Sequence, residues 1–166
     1  MRKGARMPTA FVENLDRSVR TEMIEELNAR LVEALDLVLA VKHAHWNIKG
    51  PSFIGIHLLL DEVAQRMRGH ADTMAERCVI LGGQAKGTVQ VVAEETTLEA
   101  YPPEITRQEE HVTALKERLM AFGKAVRESI SKADEAGDDD TADLFTAVSR
   151  AVDKDAWFIG AHGERS

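Results

Sequence analysis

Five side chains in this sequence are of the types that bind transition metals and are spaced for it: His45, His57, Asp61, Asp72 and Glu76. Two of the histidines belong to "HAHWNIKGPSFIGIHLLLDE", residues 43–62, where Gly50-Pro51 interrupts an otherwise helical pattern. With ~100° per residue and His57 as zero, His57, Asp61, Asp72 and Glu76 fall at roughly 0°, 40°, 60° and 100° on one helix. They make one stripe. Along the axis, however, Asp61 and Asp72 are ~16 Å apart at 1.5 Å per residue, whereas a bound metal holds its ligands within ~2 to 2.5 Å. One chain cannot close these four around one ion. Two copies of the helix packed antiparallel about a two-fold axis near Arg66 can, because His57 and Asp61 of one copy then face Asp72 and Glu76 of the other. His45 reaches the same end across the Gly-Pro turn and adds a second imidazole. Two nitrogens with up to three carboxylates suit ferrous iron, with zinc or manganese as competitors. A solvated helix face also makes polar stripes with i,i+4 pairs, so from these residues alone both readings stand.

Positioning such ligands takes long helices. Apolar residues return at helical spacing through Leu27, Leu31, Leu35 and Val38, which predicts a first helix over about 20–49. A second is expected from Gly55 to Leu81, bounded by Gly82-Gly83. The third has Pro102-Pro103 at its mouth and Thr106 with Glu109 as a capping box, and it runs to Gly137. The fourth follows "GDDD" and ends near Gly160. Short links make two antiparallel hairpins, while residues 83–102 are long enough to run the length of a helix and leave the second and third helices parallel. The fold class is all-α: a four-helix bundle of the ferritin-like type with one long crossover, in which "VQVVAEETTL" forms a short helix.

The 166 residues suit one domain, divided here into a flexible tail over 1–19 and a bundle over 20–162. No apolar run approaches the ~20 residues of a membrane span, no signal-peptide pattern is found, and Cys78 stands alone, so a cytoplasmic location is expected. A formal net charge of -7 argues against a body that binds polyanions.

The segments "AHWNIKGPSFIGIHLLLDE" and "HADTMAERCVILGG" closely resemble the Dps family, the mini-ferritins named as DNA-binding proteins from starved cells. The similarity extends through "YPPEI", "GDDDTADLFTAVSRAVDKDAWF" and the first helix, about residues 22–160. It implies that His45, His57 and Asp61 of one subunit and Asp72 and Glu76 of its two-fold mate are ferroxidase ligands, with successive spacings of 12, 4, 11 and 4. It further implies a dodecameric shell built from two-fold dimers, in which ferrous iron is oxidised, by hydrogen peroxide in preference to dioxygen, and stored as ferric mineral. Carboxylates are hard donors that favour ferric iron, and two irons at one site can give peroxide two electrons without releasing a radical. The family also places a tryptophan, here Trp46, near the site. No histidine in the chain has a glutamate three residues before it, which argues against an intrachain di-iron centre. His43, His70, His111 and His162 receive no ligand role.

Asp138, Asp139 and Asp140 suit an N-cap and first helical turn. By resemblance, Asp134 and Asp143 would line three-fold pores that draw in cations. Arg2, Lys3 and Arg6 are the candidate DNA contacts, effective only through avidity in an assembled shell. The alternative function class is a shell or dimer stapled by zinc, or a nucleoid-packing protein, without redox turnover.

Overall fold

The computed structural model describes residues 9–163; Arg2, Lys3 and Arg6 lie outside them. Five helices follow in order: α1 (Arg17–Asn47), α2 (Phe53–Ile80), the short α3 (Val89–Glu95), α4 (Gln108–Ala136) and α5 (Asp139–Gly160). Among the described residues there is no strand, only a lone bridge between Lys49 and Arg107. No described helix is long and apolar enough to cross a membrane.

Helix α1 packs on α2 and α4 on α5; α1 also meets α4, α2 meets α5, and α3 lies on α1. Each of the four long helices contributes an apolar stripe to one core, including Leu27, Leu31 and Leu37, then Leu60 and Met67, Leu119 and Phe122, and Phe145 and Val152, all buried. Fully burying one such side chain contributes roughly 1.5–3 kcal/mol. Leu35 is only half-buried and packs on the rim of this core.

Two polar clasps fix the direction of the chain. At one end, Gln108 Oε1 accepts from the Ser52 N–H at 3.0 Å, so α2 begins where α4 begins. At the other, Arg77 near the end of α2 donates to Asp138, in the turn after α4, at 2.8 Å. Helices α2 and α4 therefore run parallel, as the long crossover allows. The crossover itself is tied to α1 by hydroxyl-to-carboxylate bonds, from Thr96 to Asp36 at 2.8 Å and from Thr97 to Glu33 at 2.6 Å.

Helix boundaries depart from expectation where tertiary contacts intervene. The predicted cap at Thr106 is displaced: its carbonyl accepts from the Lys49 N–H at 2.8 Å, Arg107 takes the N-cap position, and Glu110 rather than Glu109 accepts the N-cap N–H at 3.3 Å. Helix α1 begins at Arg17 and so takes in residues 17–19 of the expected tail; ahead of it, the Phe11 N–H bonds the Ile80 carbonyl at 2.8 Å. At the turn into α5, Gly137 supplies a left-handed φ of 76° and the Asp138 side chain caps the helix through Thr141 N at 3.1 Å.

Candidate metal centre

The α1–α2 turn is zipped onto the start of α4. Lys49 donates to Thr106 and its own carbonyl accepts from Gln108 N at 2.9 Å. A helix leaves its last carbonyls without intrahelical partners, and because Lys49 N–H is engaged elsewhere, the carbonyl of His45 stays free at the end of α1. The Nδ1 of His57 lies 2.8 Å from it, and the Nδ1 of His45 lies 2.7 Å from the carbonyl of His57. A carbonyl only accepts, so each imidazole donates through Nδ1–H, and in the neutral ring each Nε2 keeps its lone pair. The rings stack, centroids 3.7 Å apart and 18° from parallel. Two σ-donor nitrogens thus stand side by side, their tautomers set by the backbone. This is the arrangement by which metal-binding histidines are usually oriented.

Asp61, one turn on, is drawn the other way. Its carboxylate accepts from Lys42 Nζ at 2.6 Å, and that ammonium holds its pKa below the usual carboxylate range, through the hydrogen bond first and its charge second. The same ammonium lies 5.7 Å from the centre of the Trp46 ring, which is 69% exposed. Asp72 and Glu76 are exposed near the other end of α2 and make no hydrogen bond or ion pair with the described residues. Among those residues, no three histidine, cysteine, aspartate or glutamate side chains of one chain come close enough to hold a metal ion.

Residues 24–165 match the ferritin-like domain family. Over 149 residues, 90% of this chain and 92% of the relative, the sequence is 46% identical to a DNA protection during starvation protein of Agrobacterium fabrum. A relative of the same description from Mycolicibacterium smegmatis is 32% identical over 158 residues, 95% of this chain and 86% of its own. The tetragonal form of Mycobacterium smegmatis Dps superposes with a TM-score of 0.91 at 32% identity over 96% of each chain. DpsC from Streptomyces coelicolor gives 0.91 at 30% identity, over 96% of this chain and 94% of that one. The chain belongs to the Dps family of ferritin-like proteins.

The remaining residues of this Dps chain sort by contact. Asp134 and Asp143 are exposed on either side of the α4–α5 turn. His162 bonds the Phe158 carbonyl at 2.8 Å. His70 has a buried Nε2 without a partner, and burial pushes its pKa down. Lys42 is the group near the site that sequence reasoning missed. The signal was present, since Lys42 precedes His45 by three residues and so shares its face of α1, but nothing in the spacing says that Asp61 lies opposite.

Proposed function

We propose that this protein oxidises ferrous iron at sites shared between two chains, preferably with hydrogen peroxide, and stores the ferric product inside a closed shell of two-fold dimers. Ferrous iron is the substrate, and its removal from peroxide protects DNA, in keeping with the names of the relatives. His45 and His57 bind it through Nε2, Asp61 joins them once it exchanges Lys42 for the metal, and the partner's Asp72 and the partner's Glu76 complete the site. The carboxylates favour the ferric product, and Trp46 stands beside the site, placed to intercept a stray oxidising equivalent.

The observation that carries this reading is a symmetry within α2. His57 with Glu76 and Asp61 with Asp72 are each centred between Arg66 and Met67, and so is a third pair, Ile54 with Val79, exposed to 64% and 46%. Ile54 and Val79 fall at roughly 60° and 40° on the same stripe. A two-fold that closes the metal site also buries these apolar side chains on each other, which gives the dimer a hydrophobic contact at both ends. Twelve subunits in a closed shell, cation entry past Asp134 and Asp143, DNA contact through Arg2, Lys3 and Arg6, and a cytoplasmic setting belong to the same proposal.

Complementation tests it. His57→Ala and Glu76→Ala each damage both sites of their own dimer. In a mixed dimer one site carries both lesions and the other carries none. Random pairing should therefore restore about a quarter of wild-type sites when the two variants are refolded together. Iron oxidation no faster than in the separate variants, with mixing shown by native mass, would rule the shared site out. Zinc bound at the same residues without any iron turnover would point to a structural staple instead.

A further inference from the structure

His43, Tyr101 and His111 lie outside the ligand set, and the fold brings them together. Tyr101 Oη is 2.6 Å from His111 Nδ1, with the two rings 6.0 Å apart and 18° from parallel. The tyrosine ring meets His43 edge-on, at 5.7 Å and 69°. His111 is fully buried, and its Nε2 has no hydrogen-bond partner. Above the tyrosine ring, at 5.8 Å, lies the guanidinium of Arg118, a residue 5% exposed and paired with Asp36 at 2.8 Å.

A phenol that loses an electron but keeps its proton becomes a strongly acidic cation, and the Arg118 charge disfavours a second positive charge beside it. Ionising first is no easier, because burial pushes the Tyr101 phenol well above its ordinary pKa. The remaining route moves the proton as the electron leaves, which requires a base within about 2.6–3.2 Å of the hydroxyl. His111 Nδ1 meets that condition. Burial first, and then His43, push the His111 pKa down and so favour the neutral ring that can accept, while the Glu110 carboxylate pulls the other way.

We propose that Tyr101 and His111 form a redox-active pair that absorbs one oxidising equivalent. The Tyr101 O–H bond breaks, its proton goes to His111 Nδ1, and one electron passes to a one-electron oxidant of the kind that ferrous iron and peroxide generate. A neutral phenoxyl radical is left beside an imidazolium. A ferrous ion then returns the electron, becoming ferric, and the proton moves back. The position suits this role: His43 and His45 are two residues apart, so they project to nearly opposite sides of α1, a cylinder ~10–12 Å across. The pair thus sits across one helix from the metal ligands. Discharge by iron rests on the function proposed above; the redox activity of the pair does not.

Tyr101 is the single tyrosine of the chain, so any tyrosyl signal is its own. Iron-free, assembled protein is oxidised with photogenerated tris(bipyridine)ruthenium(III), freeze-quenched and examined by high-field electron paramagnetic resonance. A tyrosyl radical with its gx lowered by a hydrogen bond is expected, absent in Tyr101→Phe. In His111→Gln its yield should fall roughly a hundredfold, the lower end of what a positioned base supplies to proton transfer. Only tryptophan radicals, or a gx of a phenoxyl without a hydrogen bond, overturn the pair; both are read on wild-type protein, so the outcome does not depend on the variant folding. A photo-oxidised radical in protein that fails to oxidise iron supports the pair and counts against the ferroxidase reading. Normal iron oxidation with no tyrosyl radical after photo-oxidation does the reverse.

Discussion

At its start, α2 holds His57 against α1, with both imidazoles bonded to backbone carbonyls and Asp61 bonded to Lys42. Near its other end the same helix presents Asp72 and Glu76 to solvent with no partner among the described residues. Both regions carry side chains of metal-ligating types on one stripe of one helix, yet one is ordered within the chain and the other is bare. The difference has an energetic reason. Nitrogen ligands need their lone pairs aimed and their tautomers set, and the chain can do that alone. Exposed carboxylates remain hydrated at little cost and, under the proposed function, can stay free until a second subunit supplies the other ligands. In the proposed site the nitrogen half would therefore be coupled to folding and the carboxylate half to assembly.

Removing the bare half should have the largest effect on chemistry and the smallest on the fold. Asp72→Asn with Glu76→Gln is expected to slow ferrous oxidation by at least ~100-fold, beyond what outer-shell partners of a metal usually cost. Chemical denaturation should shift by no more than ~0.5 kcal/mol per substitution, as for other exposed positions. Wild-type rates in that double variant would remove both residues from the site.

Disturbing the ordered half should cost both. A Cβ at Gly50 would come 2.8 Å from the Gln108 Cβ, so Gly50→Ala forces the turn away from α4. Overpacking of this kind costs about 1–3 kcal/mol. The free carbonyl of His45 depends on that turn, so ring stacking and oxidation rate should fall together, measured by denaturation, by histidine NMR and by initial rates. A variant that loses stability and keeps full activity would uncouple the histidines from the turn.

The smallest effect is expected at Lys42. Lys42→Met takes away the charge that depresses the Asp61 pKa, so the Asp61 titration midpoint, followed by carboxyl-carbon NMR, should rise toward the ordinary carboxylate range. The sign follows from linkage: the pair favours the fold above that range and loses its effect as pH falls through the depressed value of Asp61. An unmoved midpoint would mean that Lys42 does not hold Asp61 in solution.

What could be read in advance follows from chain distance. The stripe from His57 to Glu76 is carried by one helix, where angle and rise are fixed by residue number, and the four long helices and the crossover follow from periodicity and punctuation. Lys42 with Asp61, and Tyr101 with His111, depend instead on how separate segments come to rest against each other. His111 carried no visible partner because Tyr101 lies in the crossover beyond a Pro-Pro step, where helical spacing says nothing. Thr106 shows the opposite failure: its local capping pattern was sound, and pairing with Lys49 outweighed it.

Exposed turns are the usual sites for inserted tags and new termini, since few contacts cross them. The α1–α2 turn looks suitable by exposure and is not, because Lys49, Ser52 and Gln108 stitch it to the mouth of α4. An added residue there would reset the register of the stitches and carry the free carbonyl of His45 away from its imidazole. For anyone grafting a cargo onto this chain, the exposed loop between α1 and α2 is the one wired to the histidines.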